Sequence, residues 1–361
     1  MPDSVAVLGS GNVGCAIAGS LALRGLDVRL YSPFEPEIEL LRKLGGITLE
    51  GEFTGSALPR LMTTDLAQAI DGAELILVAA PGFAHEPISK ALSGIVADGQ
   101  RVVFQPGELG SALALARLLP GGWQGKITLA ETATSLYTCR FRAPGTVKIT
   151  SIKQVVGYGA MPVEATDEVG ALLTECFGPH FSPRSDTLEV GLSNTNPVYH
   201  CPPTIFNFTS VEQGVDQPLH VLVTPGIARY MDCIDRERLA LAEAFGLHLD
   251  SFWDYLMHAY DVKGGDFVEK IRQVFGPGAF RAPADLKDRY ITEDIPFGLV
   301  PWASLASVVG VRTPLIDSLI TAANCLVGRD FSLGARSASS LGLRGLSADE
   351  IRDAFRGGTV R

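Results

Sequence analysis

The stretch Val5-Ala6-Val7-Leu8-Gly9-Ser10-Gly11-Asn12-Val13-Gly14-Cys15-Ala16-Ile17 decides the fold. A short apolar run stops at Gly9, residues 15–24 keep helical spacing up to Gly25, and 27–31 reads as a second strand. That succession of strand, glycine turn, helix and strand gives Gly-x-Gly-x-x-Gly its meaning. Gly9 permits the tight turn, Gly11 lets the backbone approach a pyrophosphate, and Gly14 brings the helix against the strand. With Ser10, Asn12 and Val13 completing the loop, the helix start offers free amides and the positive end of its dipole to phosphates.

The same rhythm continues outward. Runs rich in Val, Ile and Leu at 4–8, 27–31, 75–80, 101–105 and 126–130 alternate with longer amphipathic stretches, the pattern of a parallel sheet covered on both faces. Several end in turn signals, Ser32-Pro33, Pro81-Gly82 and Pro106-Gly107. Ligands bind at such carboxyl ends, which places Pro81 among the expected cofactor-binding residues. The loosely alternating segment 146–158 is expected to add strands to this sheet. From about residue 187 the spacing turns helical, over 227–245, 251–260, 267–275, 299–309, 315–326 and 348–355, the last opened by a capping box from Ser347 to Glu350. The predicted fold is α/β: an N-terminal Rossmann-type doubly wound parallel sheet over 1–185, followed by an all-α C-terminal domain over 186–361.

Composition narrows the function. At 361 residues, 46% hydrophobic and 19% charged, the chain has much interior for its surface and length for about two domains. Lys and Arg number 30 against 40 Asp and Glu, a net charge of −10 without a basic stripe, so nucleic acid is not an expected partner. No apolar run approaches the roughly 18 residues of a membrane span. The six cysteines, Cys15, Cys139, Cys176, Cys201, Cys233 and Cys325, show neither CxxC nor zinc-ligand spacing. No metal is therefore expected, and with no signal-peptide pattern the chain reads as a cytoplasmic protein with reduced thiols.

An NAD enzyme would end its second strand in Asp or Glu to hold the adenosine ribose 2′-hydroxyl; here the strand leads to Ser32. A hydroxyl repels no phosphate, and Arg42 and Lys43 lie downstream where a cation could reach one, although Glu35, Glu37 and Glu39 are nearer in sequence. NADP is accordingly expected in preference to NAD, the plainer alternative being a serine that tolerates both.

Of the six histidines, His85 lies in the helix start after Pro81-Gly82, and His180, His220, His248 and His258 have no polar cluster around them in sequence. His200 differs, closing the polar, proline-punctuated stretch Ser193-Asn194-Thr195-Asn196-Pro197-Val198-Tyr199-His200 where the sheet-forming half gives way to the helical one. The plain reading of Asn194 and Asn196 is helix capping. Two further clusters are Arg289 to Asp294, whose acids would otherwise only stabilise a helix start, and Glu131 to Arg140 past the fifth strand.

At these residues the chain resembles the opine dehydrogenase family, which includes octopine and nopaline synthases and bacterial N-(carboxyethyl)amino acid dehydrogenases. The resemblance runs end to end. It is carried by Gly-Ser-Gly-Asn-Val-Gly (9–14), Glu-Thr to Cys-Arg (131–140), Ser-Asn-Thr-Asn-Pro-Val-x-His (193–200), Arg-Tyr-x-x-Glu-Asp (289–294), Gly-Leu-Val-Pro (298–301) and Thr-Pro-Leu-Ile-Asp (313–317). The glycine motif is shared by many enzymes, whereas Asn-x-Asn to His combined with Tyr-x-x-Glu-Asp is specific. One departure is Cys201, which precedes Pro202 where the family has proline directly and is expected to shift the local turn.

The resemblance implies NAD(P)H-dependent reductive condensation of an amino acid with a 2-oxo acid, pyruvate by default, to a secondary amine dicarboxylate. It implies His200 and Asp294 as the catalytic pair, Asn196 on a substrate carboxylate or carbonyl, and Thr134 and Cys139 lining the amino acid pocket. Hydride delivery needs an electrophilic carbon, so a proton donor must assist loss of water from the carbinolamine, work suited to a histidine. A carboxylate on its other ring nitrogen would fix the tautomer. Two carboxylate substrates on an acidic protein call for a local cation, with Arg140 and Arg312 as candidates. A homodimer is the expected assembly. Two alternatives stay open: a 2-hydroxy acid or ketopantoate-type reductase, for which Lys153 and Lys263 are the candidate acids, and a nicotinamide-binding sensor that would need no His200 with Asp294.

Overall fold

The computed structural model describes residues 2–358 except 121–122, 124–125, 261, 263 and 277–280, so Lys263 lies outside the described residues. The chain forms two compact units. One runs to Gly191 and takes in the chain again from Ala354; the other is Leu192–Asp353.

In the first unit the strands are β1 (Ser4–Leu8), β2 (Asp27–Tyr31), β3 (Ile47–Gly51), β4 (Gly55–Ala57), β5 (Leu61–Thr63), β6 (Leu75–Val78), β7 (Arg101–Phe104), β8 (Thr128–Thr132), β9 (Tyr137–Ala143), β10 (Thr146–Ile152), β11 (Val156–Met161) and β12 (Phe181–Pro183). Eight of them make one sheet in the order β12-β11-β8-β7-β6-β1-β2-β5. From β5 to β8 every pairing is parallel, the 3-2-1-4-5-6 order of doubly wound sheets. The chain reverses its direction of travel across the sheet between β1 and β6, where such sheets bind nucleotides. Helices α1 (Asn12–Leu23), α2 (Glu35–Lys43), α3 (Leu66–Ile70), α4 (Gly82–Leu92), α5 (Ser111–Leu118), α6 (Thr166–Phe177) and α7 (Thr187–Leu192) complete this part of the chain. Val5 to Leu8 and Leu75 to Val78 are wholly buried, which is why these strands read as unbroken apolar runs.

The segment 146–158 divides. Val156–Met161 joins the main sheet antiparallel to β8, but Thr146–Ile152 enters a separate four-stranded sheet in the order β4-β3-β10-β9. Val147 and Ile149 of that sheet share one buried cluster with Ile47, Leu49 and Cys139 and with Cys15, Ala18 and Leu21 of α1. Helix α1 is apolar around its whole circumference because its far side is covered too.

The second unit is helical: α8 (Asn196–Phe206), α9 (Phe208–Glu212), α10 (Pro225–Ala244), α11 (Phe252–Tyr260), α12 (Phe267–Phe275), α13 (Arg289–Thr292), a π-turn Ile295–Leu299, α14 (Val300–Val309), α15 (Pro314–Val327) and the start of α16 (Ala348–Arg356), whose last three residues count with the first unit. Helix α8 has no counterpart in the spacing analysis, because Pro202 and Pro203 lie inside it. The expected capping box opens α16: Ser347 N donates to Glu350 Oε2 at 2.8 Å and Glu350 N to Ser347 Oγ at 3.3 Å.

Long helix α10 is fixed by a buried ion pair. Arg238 donates to Asp235 Oδ1 at 2.7 Å, to the Leu192 carbonyl at 2.7 Å and to the Asp250 carbonyl at 2.8 Å, while Asp235 Oδ2 accepts from Phe252 N at 2.7 Å. The guanidinium is completely buried and its charge is met by three acceptors. Removing one partner of such a pair strands the other without water. Arg238→Ala is therefore expected to cost about 3–5 kcal/mol of unfolding free energy. Urea titration measures it, and a loss below about 1 kcal/mol would show the pair to be dispensable.

Candidate active site

The three glycines of the first loop are held by different constraints. Gly9 has φ +123°, and a Cβ there would overlap the carbonyl oxygen of Ala79; a Cβ on Gly14 would overlap the carbonyl of Gly9. These two serve the turn and the close approach of α1 to β1. Gly11 has φ −71°, open to any residue, and nothing lies within 4 Å of where its Cβ would stand. No contact inside the protein calls for glycine at that position. The start of α1 has no side-chain cap, so its first amides face the same open space, a cradle that fits a pyrophosphate. Asn12 does not cap the helix either; its Oδ1 accepts from Phe141 N at 2.7 Å and ties the loop to β9. Val13 packs against the core, and Pro81 is the exposed N-cap of α4 just past β6. Cys15 donates to the Ser10 carbonyl at 3.1 Å, and its thiol is pushed up to about 12, by burial first and then by Glu37 and Cys139.

At the end of β2 the expected cations are already engaged. Arg42 pairs with Glu35 at 3.3 Å and donates to the Met62 carbonyl at 2.6 Å, and Lys43 lies 3.7 Å from Glu39. A carboxylate stands there instead. Ser32 Oγ donates to Glu37 Oε2 at 2.8 Å, and Ser10 Oγ donates to that same oxygen. Arg42 and Lys43, the cations expected near a 2′-phosphate, thus each pair with a carboxylate of α2, and Ser32 is tied to Glu37.

In the helical unit, His200 Nδ1 lies 2.8 Å from Asp294 Oδ2, with the histidine 6% and the aspartate 1% exposed. The two are 94 residues apart in sequence. Their elements meet because Pro197, at the start of α8, occupies the space where a Cβ on Gly298 of the π-turn would go. Tyr290 stacks on the imidazole with centroids 3.9 Å apart and planes at 21°. Cys201 is absorbed without a broken helix: its buried thiol donates to the Tyr290 carbonyl at 3.7 Å, and burial, with Asp294 adding, raises its pKa well above the ordinary range. Tyr199 stacks on Phe275 at 4.3 Å, and burial lifts its phenol likewise. A carboxylate accepting from Nδ1–H fixes the tautomer and leaves Nε2, which has no protein partner among the described residues, for proton transfer.

The remaining expected residues fare differently. Asn196 is the first residue of α8, half-buried, one helical turn before His200 on the same face, and its amide donates to Asn194 Oδ1 at 3.0 Å. Arg140, on β9, is exposed and donates to the carbonyl of Cys139; Arg312 is exposed ahead of α15. Thr134 is buried and accepts from Lys153 Nζ at 2.5 Å. Cys139, at 2% exposure, belongs to the apolar cluster that packs against α1. Two of the motifs prove architectural. Glu131 Oε1 accepts Ala112 N at 2.7 Å in the first turn of α5, and Thr-Pro-Leu-Ile-Asp is a helix start whose Leu315 and Ile316 amides donate to Glu237 at 2.9 Å each. His85, too, is committed, to Ser111 at 2.6 Å and the Ala80 carbonyl at 2.9 Å. Neither Tyr290 nor Glu37 is given a role by the sequence; their contacts with His200 and Ser32 single them out.

A glycine loop open to a dinucleotide and a helical unit matching a nicotinamide-dependent dehydrogenase domain mark the chain as an NAD(P)-dependent oxidoreductase. Opine dehydrogenase of Arthrobacter sp. (strain 1C) is 32% identical over 358 residues, spanning 97% of this chain and 98% of that one. The chain belongs to the opine dehydrogenase family, whose reaction is the reductive condensation of an amino acid with a 2-oxo acid. Residues 183–327 match the alpha-helical domain of NAD/NADP octopine/nopaline dehydrogenase, and residues 4–106 match the N-terminus of NAD-dependent glycerol-3-phosphate dehydrogenase. Among solved structures, an octopine dehydrogenase with NADH and pyruvate superposes with a TM-score of 0.78 at 20% identity over 99% of both chains. A yersinopine dehydrogenase with NADP+ bound gives 0.76 at 14% identity, over 99% of this chain and 98% of its own. At those identities the likeness is one of fold.

The glycines make separable predictions. Gly11→Val should leave the melting temperature within about 1 °C, a shift of roughly 1 kcal/mol or less in a chain of this size, and should abolish dinucleotide binding in calorimetry. Gly14→Ala should instead destabilise the fold by about 1–3 kcal/mol through overlap with the Gly9 carbonyl. Retained affinity in Gly11→Val would refute the cradle.

Proposed function

We propose that the chain condenses an amino acid with pyruvate, with His200 and Asp294 moving the proton. The carrying observation is the buried Nδ1 to Oδ2 contact of 2.8 Å. Loss of water from the carbinolamine requires a proton at its hydroxyl, which His200 Nε2 would deliver while Asp294 stabilises the imidazolium through Nδ1. The stacked Tyr290 ring holds the imidazole plane. When bound, the reduced nicotinamide supplies the hydride that converts the imine to a secondary amine. Asn196, on the His200 face of α8, is assigned the substrate carboxylate or carbonyl, with Arg140 and Arg312 as candidate counter-charges and Thr134 as a candidate contact to the amino acid. Pyruvate is supported by its presence with NADH in the related octopine dehydrogenase. Six free thiols agree with a reducing cytoplasmic setting, and a homodimer is carried as part of the reading, to be checked by light scattering. NADP remains the cofactor that the sequence favours, although Arg42 and Lys43 both pair with carboxylates of α2.

The deciding assay is oxidation of NADH and NADPH with pyruvate, with and without a panel of amino acids. Oxidation that requires the amine is expected; oxidation with the oxo acid alone would make the protein a carbonyl reductase, and none with any pair would favour a sensor. His200→Ala and Asp294→Ala should each lower turnover about a hundredfold or more while dinucleotide affinity, set in the sheet unit, stays within a few-fold. Loss of cofactor affinity in step with turnover would count against a proton-transfer role.

A further inference from the structure

We propose that Glu37 selects the cofactor, favouring NADH over NADPH by taking the place of the acid that the end of β2 lacks. In doubly wound sheets the adenosine ribose lies over the end of the second strand, where a carboxylate accepts from its 2′-hydroxyl. Here the two strand ends concerned are joined by Gly9 N donating to the Tyr31 carbonyl at 2.9 Å. The hydroxyls that follow them, Ser10 on the glycine loop and Ser32 after β2, both donate to Glu37 Oε2. One carboxylate oxygen is therefore fixed across the gap between the two loops. Its partner Oε1 makes no hydrogen bond among the described residues and is left to accept from a ribose. The acid comes from the first turn of α2, five residues past Ser32, which is why the strand end looks neutral in sequence.

The same arrangement disfavours a 2′-phosphate twice over. Both serine hydroxyls, the natural donors to such a phosphate, already donate to Glu37, and the phosphate would meet a like charge. The counter-charges that would relieve it are engaged elsewhere, Arg42 with Glu35 and the Met62 carbonyl, Lys43 with Glu39. Glu35 also accepts from Thr64 Oγ1 at 3.0 Å, so its carboxylate stays beside the site rather than swinging clear with the arginine.

The proposal rests on nicotinamide-cofactor binding by the sheet unit and not on the condensation chemistry, so it is tested by binding alone. Dissociation constants for NADH and NADPH are measured by nicotinamide fluorescence titration on the full chain, wild type, Glu37→Gln and Glu37→Ala. The wild type is expected to bind NADH at least about tenfold more tightly, a modest ratio for a carboxylate beside a phosphate. Both variants should bring the ratio to within about threefold, chiefly by tightening NADPH. Glu37 is exposed on α2, and melting curves confirm that each variant is folded before titration. Tighter binding of NADPH by the wild type, or an unchanged ratio in both folded variants, would overturn the assignment. Failure of the amino acid assay would leave this ratio as readable as before.

Discussion

The sheet unit depends on one close approach, that of α1 to the turn after β1. Gly14 has no Cβ because the Gly9 carbonyl occupies its place, and Gly9 has none because the Ala79 carbonyl does. Packed this tightly, α1 lies within reach of the main sheet on one side and of the four-stranded sheet on the other, and its small apolar residues share one cluster with both. Side chains of ordinary size at 14, 15, 16 and 18 would hold the layers apart. The functional consequence is local: a helix whose body is wholly enclosed still presents an uncapped start to open space beside Gly11.

The helical unit uses a different device for a similar end. A histidine and an aspartate are costly to bury, and they are kept together by shape as well as by charge. The Pro197 ring against Gly298 brings α8 and the π-turn into contact, Tyr290 covers one face of the imidazole, and Cys201 reaches the carbonyl behind that tyrosine. Prolines at 197, 202, 296 and 301 stiffen both elements around the pair. Packing of this kind holds the imidazole in one orientation.

Charge in this acidic protein is handled by local pairing. Arg238, Arg42 and Lys43 are each satisfied by a carboxylate within a few residues on their own helix or its flank, and Glu237 and Glu131 are spent on helix starts. Several residues that look chemical in the sequence are therefore structural. Among those singled out for substrate, Arg140 and Arg312 remain exposed, the condition a cation must meet to reach a free carboxylate.

What the sequence determined by itself was whatever repeats over a few residues. The glycine turn, the buried parallel strands, the helices α10 to α12 and α14 to α16, and the capping box at Ser347 all follow from spacing within one element, and the identity of the His200 and Asp294 motifs from resemblance. Tertiary structure alone decided what depends on pairs distant along the chain or on the side chosen by a single rotation. The second sheet was illegible because β3 and β10 are nearly a hundred residues apart and neither strand is apolar throughout. Helix α8 was hidden by prolines that its tertiary packing overrides. Cys139 and Arg140 are adjacent, yet one faces the core and the other solvent, since a strand alternates with period two and only the packed sheet says which parity is inside. Glu37 was passed over for Ser32 because position along the chain stood in for position in space, and the first turn of α2 folds the glutamate back over the strand end that the serine marks.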